Sequence, residues 1–246
     1  MDRSIYVAMT GATQIMRAQD AVSHNLANAS TTGFKSEMSA FSSVPVLGDG
    51  QATRINAVAQ GQGIDPSSGP LQATGRPLDV AVRGDGWIAV QAPDGSEGYT
   101  RAGDLQLTDA GLLTDSRGNA VIGGGGPITI PDSQTVKVGD DGTISTVPLG
   151  QGPQTITAID RIKLVNPGSA QMVQGSDGLM HMSDGSVAQA DTNITVASET
   201  LEGSNVNTSE QLVKMIALSR QYEMQVKSIK TTEDDADSSL KLLQAG

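Results

Sequence analysis

"SHNLANASTTGFKSE", residues 23–37, puts two carboxamides where a packing helix normally keeps apolar groups. Asn25 and Asn28 lie either side of Leu26, three positions apart and therefore on one side of a helix. The chain then runs through Ser30, Thr31 and Thr32 into Gly33, Phe34 and Lys35. Gly33 is a fair stop, since glycine accepts the left-handed conformation that ends helices. Phe34 follows it at once, so an aromatic anchor stands directly behind the breaker.

Working outward from this stretch, Ile5, Ala8, Ala12, Ile15, Gln19, Val22, Leu26 and Ala29 recur at alternating spacings of three and four. They form a heptad stripe weakened by alanines and one glutamine. Asp2 near the start suits the helix dipole. Such a helix would be about 40 Å long. The other end of the chain repeats the pattern. Asn207 with Glu210, or Thr208 with Gln211, makes a capping-box-like start. Leu212, Met215, Ser219, Tyr222, Val226, Ile229, Glu233, Ala236, Leu240 and Leu243 then keep heptad spacing. One such stripe is ordinarily the buried face of a globular helix. Two of them, one at each end, predict a coiled coil.

Between the stripes the texture changes. Residues 37–76 are rich in Ser, Gly, Gln and Pro and read as an extended connector. From 77 to about 202 the period becomes two. "PLDVAVRGDGWIAVQ" sets Leu78, Val80 and Val82 against Asp79, Ala81 and Arg83, and Asp-Gly pairs at 85, 94, 141, 177 and 184 signal hairpin turns. The expected fold class is α+β. A discontinuous helical coiled-coil domain, from 1–36 and 203–246, carries an all-β domain, 77–202, inserted behind the connector.

Composition narrows the function. The residues are 37% hydrophobic, which supports a core, but only 2% aromatic. Tyr6, Phe34, Phe41 and Tyr222 lie towards the ends, leaving Trp87 and Tyr99 for the middle. A formal net charge of −11 argues against nucleic acid or an anionic membrane as the main partner. The absence of cysteine rules out disulfides, thiolate metal sites and cysteine nucleophiles. "MDRSIYVAMTGATQIM" has no apolar core, so no cleaved secretory leader is expected, and no stretch reaches the roughly 20 apolar residues of a membrane span.

Catalytic, cofactor and metal sites are not expected. His24 and His181 have no nucleophile at a meaningful spacing, and there is no Gly-x-Ser-x-Gly elbow. "GDGWIA", 84–89, imitates a dinucleotide glycine pattern, but a strand and turn follow where a helix must. Gly123–Gly126 lacks the Lys-Ser/Thr of a phosphate cradle. "GDDG", 139–142, lacks the alternating ligands and late Glu of a calcium loop and reads as a hairpin turn. Glu233, Asp234, Asp235 and Asp237 read as the solvated face of the last helix.

"NLANASTTGFK" strongly resembles the N-terminal signature of the bacterial flagellar rod and hook family, through Asn25, Leu26, Ala27, Asn28, Thr31, Gly33, Phe34 and Lys35. The same family is resembled by "LDVAVRGDGWIAV", "YTRAGDLQLTDAGLLTD" and "GNAVIG" in the middle, and by "LEGSNVNTSEQLVKMIALSRQYEMQVKSIKTTED" at 201–234. "MDRSIYVAMTGA" is most similar to the proximal rod members. His24 departs from the pattern, standing where the family often has another asparagine.

The resemblance implies a structural subunit of the basal body, not an enzyme. Its partners would be copies of itself and other rod subunits. Its route would be the flagellar type III export apparatus, and its place a helically assembled hollow shaft crossing the periplasm. The subunit-interface residues would be Ile5, Ala12, Ile15, Val22, Asn25, Leu26, Asn28, Gly33, Phe34, Leu212, Met215, Tyr222, Val226 and Ile229. Buried asparagines tend to fix register, so Asn25 and Asn28 are expected to specify how subunits stack, while Gly33 and Phe34 turn the chain outward. The competing expectations are a secreted carbohydrate-binding or enzymatic β protein with helical ends, and a cytoplasmic coiled-coil adaptor. The scarcity of aromatics in the middle counts against the first. The large insert and missing charge pairing at the seam count against the second.

Overall fold

A computed structural model describes residues 4–45, 55–150, 155–168 and 171–244. Asp2 and the side chains of Ala236, Asp237, Leu240 and Leu243 lie outside the described residues. The order is α1 (Ser4–Ala27), β1 (Glu37–Pro45), β2 (Ile55–Ile64), β3 (Leu71–Ala73), β4 (Val80–Arg83), β5 (Trp87–Gln91), β6 (Glu97–Thr100), β7 (Gln106–Leu107) and β8 (Leu113–Thr114). It continues with β9 (Ala120–Val121), β10 (Ser133–Val138), β11 (Thr143–Pro148), β12 (Thr157–Arg161), β13 (Leu164–Val165), β14 (Met172–Gln174) and β15 (Met180–Met182). The last three are β16 (Thr195–Ser198), β17 (Thr200–Glu202) and α2 (Thr208–Gln244). The molecule is therefore α+β, with a helix towards each end and a β-rich middle.

The chain divides into two compact units. One collects residues 1–28, 37–62 and 206–246; the other collects 29–36 and 63–205. In the first, α1 packs along α2 through a small apolar cluster of Ala18, Val22 and Leu218, joined by Ile15 and Met215. Small residues let the backbones come close. At Gly11 a Cβ would meet the Gln225 carboxamide at 3.1 Å, and Gln225 Nε2 donates to the carbonyl of Ala8 at 3.1 Å. Asn207 makes its half of the expected capping box, its Oδ1 accepting from the amides of Ser209 and Glu210. Within the stretch expected as an extended connector, β1 and β2 pair with each other; backbone ladders need no apolar side chains to form.

The second unit is antiparallel throughout. Its largest sheet runs β14-β15-β6-β5-β9-β8-β7, with β13 also pairing with β5; β10-β11-β12, β16-β4 and β17-β3 make smaller ladders. Strand β5 is buried on both faces. Ile88 and Val90 enter a cluster with Val80, Val82, Leu113 and Ile144, while Trp87 and Ala89 enter another with Tyr99, Val165 and Met172. A fully buried strand reads as a continuous apolar run, which "WIAV" is. Each such Val, Ile or Leu contributes about 1.5–3 kcal/mol of transfer free energy.

The expected inside-outside alternation fails one turn earlier. Asp79 and Ala81, assigned to a second face, are fully buried with Val80. Asp79 can be there because Arg76 donates to both its oxygens, at 2.9 and 2.6 Å, and the Thr74 hydroxyl donates at 2.5 Å. In the Gly-rich stretch the Gly124 amide donates to Asp160 Oδ1 at 3.1 Å. "GDDG" is a hairpin turn, with the Gly139 amide donating to Thr143 and Asp141 Oδ2 accepting from the Thr143 hydroxyl.

Candidate assembly site

Helix α1 ends at Ala27, well before Gly33. What stops it is the pair of asparagines. Asn25 is 3% exposed, and its carboxamide exchanges two hydrogen bonds with the backbone of Glu37: Nδ2 donates to the carbonyl at 3.0 Å and Oδ1 accepts from the amide at 2.8 Å. This reproduces in one side chain the double bond of an antiparallel pair, and it brings the start of β1 back against the helix end. Asn28 Nδ2 donates to the carbonyl of His24 at 3.0 Å, satisfying one of the orphan carbonyls of the last turn. His24 Nδ1 lies 2.7 Å from Glu37 Oε1. Asn25 is therefore held by its own chain, at a chain reversal.

The stripe expected at the first helix is buried or half-buried along its length, whereas the one expected on α2 is displaced at alternate positions. On α1, Ala8, Ala12, Ala18, Val22 and Asn25 are buried and Ile5, Ile15 and Leu26 half-buried, as is Asn28 just beyond its end. On α2 the buried or half-buried positions as far as Ile229 are Gln211, Met215, Leu218, Ser219, Tyr222, Gln225 and Ile229. Leu212 and Val226, placed on the same stripe by heptad counting, are 48% and 44% exposed. Gln211, Met215, Leu218, Tyr222, Gln225 and Ile229 keep heptad spacing themselves, so the period is right and the phase one residue late at alternate positions. The displaced residues join Val213, Ile216 and Met224 as exposed apolar side chains on α2, matched on α1 by Tyr6, Met9 and Met16.

The rest of the opening stretch belongs to the β unit. Gly33 has φ +67°, and a Cβ there would stand 2.2 Å from the carbonyl carbon of Arg101. Its amide donates to the carbonyl of Glu202 at 2.8 Å. Phe34 and Lys35 are buried beside it. Lys35 Nζ donates to Glu202 Oε1 at 2.7 Å and to the carbonyl of Ser67 at 2.8 Å. The other oxygen of Glu202 accepts from Arg101 Nη1 at 3.1 Å, and Oε1 also accepts from the Gly69 amide at 2.9 Å. All three charged side chains are almost wholly inaccessible, Glu202 at 0%. Arg101 Nη2 donates to the carbonyl of Gly84 at 2.7 Å, and the guanidinium carbon sits 5.2 Å from the Trp87 ring centre. Burial pushes the Lys35 ammonium below its ordinary pKa; the hydrogen bond and charge of Glu202 pull it back, and Arg101 opposes them.

Asn205 completes the arrangement. Its Oδ1 accepts from the Ser36 amide at 2.8 Å, and its Nδ2 donates to the carbonyls of Asp65 and Ser67 at 3.1 Å. Segments 33–36, 65–69 and 202–205 are thus tied by one carboxylate and one carboxamide. Lys35, Arg101, Glu202 and Asn205 were not among the expected site residues. Their signal in the sequence is faint: single charges of opposite sign in otherwise uncharged surroundings, "YTRAG" and "LEGSN".

Three family descriptions match along the chain: flagella basal body rod protein at residues 5–35, flagellar hook protein FlgE/F/G D1 domain at 81–146, and flagellar basal body rod FlgEFG protein C-terminal at 197–242. The flagellar basal-body rod protein FlgF of Salmonella typhimurium is 42% identical over 249 residues, covering 99% of both chains. The chain belongs to the flagellar basal-body rod family. FlgF of Escherichia coli K12 matches equally, at 42% over 99% of both chains. FlgG of Buchnera aphidicola (strain Sg) matches at 32%, over 94% of this chain and 95% of its own. The rod family is structural rather than enzymatic, and the chain's 42% identity to these two FlgF proteins agrees with the proximal-rod likeness of the first residues. Its N-terminal signature, at 5–35, spans both features described above: the Asn25 chain reversal and the Gly33–Lys35 segment bound to Glu202. No described helix is long and apolar enough to cross a membrane.

Proposed function

We propose that this chain is a structural subunit of the proximal flagellar rod, polymerising helically into the hollow shaft that transmits torque across the periplasm. α1 and α2 form the coiled-coil core that lines the tube, and the β unit is inserted between them. The sequence segments are 1–36 and 203–246 for the core, 37–76 for the connector and 77–202 for the insert. Partners are further copies, other rod subunits and, before assembly, the flagellar type III export apparatus, which would need no cleaved signal peptide. Nucleic acid and membrane insertion have no part in it.

The observation that carries the reading is the unfinished surface of the helix pair. Leu212, Val213, Ile216, Met224 and Val226 face outward on α2, and Tyr6, Met9 and Met16 on α1. Apolar rows of this extent mark interaction sites. The interface takes Leu212 and Val226 through this outer face. It takes Ile5, Ala12, Ile15, Val22, Leu26, Met215, Tyr222 and Ile229 through the packing that holds the pair together. Asn25, Asn28, Gly33 and Phe34 act indirectly, by fixing the chain reversal and the turn. A carbohydrate-binding or enzymatic role draws no support from the family. Electron microscopy of purified basal bodies, with this chain tagged, tests the proposal; a tag found outside the shaft refutes it.

A further inference from the structure

The Lys35–Glu202–Arg101 cluster is costly unless it does something a hydrophobic core would not. Removing charges from water costs several kcal/mol per ion, and well-packed apolar groups are often at least as stable. The cluster also carries a net positive charge, from two cations and one carboxylate, and Arg101 Nε is buried without a hydrogen-bond partner among the described residues. What the charges provide is connection between distant parts of the chain. Lys35 and Glu202 are 167 positions apart, and Arg101 and Glu202 are 101 apart. Lys35 comes from the segment leaving α1, Glu202 from the strand preceding α2, and Arg101 from the middle of the β unit.

The backbone follows the charges. The Gly33 amide donates to Glu202, the Asn205 amide to Phe34 at 3.3 Å, and the Asp65 amide to Ser36 at 2.8 Å. Two glycines permit the approach. A Cβ at Gly69 would stand 2.0 Å from the carbonyl oxygen of Gly203, and one at Gly33 would collide with Arg101. All these contacts lie within the unit formed by 29–36 and 63–205. None needs a second subunit.

We propose that Glu202 is the centre of an internal clasp, closed in the unassembled subunit, that fastens residues 31–36 and 202–205 to the β unit and stops loss of order at the chain ends from spreading into it. The second half of the family signature, Thr31–Lys35, is then an intramolecular fastening rather than an assembly contact. This goes beyond the rod reading: the clasp would close in a free subunit whether or not the helices find neighbours.

The test is hydrogen exchange by mass spectrometry on the full-length chain, kept monomeric as judged by sedimentation. The peptide covering 31–36 should exchange as slowly as those from β17 and β3. E202Q leaves two cations beside a neutral amide, and should speed exchange at 31–36 at least tenfold while 87–100 stays protected. K35M leaves a neutral Arg101–Glu202 pair and should loosen 31–36 less. K35M/E202Q has the wild-type net charge and should exchange more slowly there than E202Q alone. If E202Q unfolds the β unit, K35M decides: loosening confined to 31–36 supports the clasp, and wild-type protection there overturns it. Wild-type exchange at 31–36 as fast as an unstructured peptide also overturns it, as does unchanged exchange in E202Q, or a double variant equal to the sum of the singles.

Discussion

Gly33 shows how much one residue type can decide. Its φ of +67° alone would cost another residue about 1–2 kcal/mol. Here the backbone of Arg101 also occupies the space a Cβ would need. Gly33→Ala should therefore lower the stability of the β unit by roughly 3 kcal/mol or more in urea unfolding. Gly84→Ala is the control: its φ is +78°, but nothing lies within 4 Å of the added carbon, so only the conformational cost of about 1–2 kcal/mol remains. Equal losses in the two variants would mean that the close approach to Arg101 does not constrain the fold. Tyr99 offers a second reading at this scale. Burial raises its phenol to about 12, against the amide of Ala188, which donates to its oxygen at 2.7 Å and favours ionisation. A spectrophotometric alkaline titration should show one of the three tyrosines ionising near pH 12, and Y99F should remove that step. Complete tyrosine ionisation by pH 11 in the folded protein would contradict the burial.

At the scale of elements, the sequence made the two helices and the β character of the middle legible, and it left the contacts between elements largely hidden. Periodicity finds a helix, but it assigns the seam only as well as the assumed phase. Leu212 and Val226 were assigned inward by a phase one residue late, whereas Gln211, Leu218 and Gln225 turn inward, Leu218 in the cluster with Ala18 and Val22. The stop at Gly33 was also expected too late, because the Asn25–Glu37 bonds that end α1 join positions with no local pattern linking them. Glu202 and Arg101 were invisible for the same reason, since a lone charge says nothing of a partner a hundred positions away. The displaced seam makes a prediction. Leu218→Ala should weaken the helix pair of the soluble subunit by roughly 2–3 kcal/mol. Leu212→Ser should leave it within about 0.5 kcal/mol, yet reduce motility and basal-body yield at matched secretion. Full motility in Leu212→Ser would show that the outer row is not an interface.

For the whole molecule, the same groups that shape the β unit set its response to acid. Asp94, Asp141 and Asp184 each begin an Asp-Gly turn and accept from the hydroxyl and amide of a residue two positions on, Ser96, Thr143 and Ser186; those bonds hold the carboxyls below the usual range. Asp79 is different in kind. Burial drives its pKa up, but the hydrogen bonds from Arg76 and Thr74, with the charge of Arg76, outweigh burial and leave it lowered. A carboxyl whose folded pKa lies below its unfolded value binds fewer protons when folded. It therefore contributes stability that is fully present above the unfolded value of 3.8 and lost as the pH falls through the folded value. All four groups have the same sign and the same unit, so the β unit should lose stability together below about pH 4. Asp79→Asn separates the buried contribution from the turns. It should cost roughly 1–2 kcal/mol at neutral pH, because Arg76 keeps its outer side in water. It should also flatten the acid limb, since the variant has no carboxyl at 79 to protonate. Urea midpoints between pH 7 and pH 2 for both proteins give the two curves, which should converge as the pH falls. Parallel curves, with the neutral-pH gap unchanged at pH 2, would mean that Asp79 stabilises the unit through its shape and not through its charge.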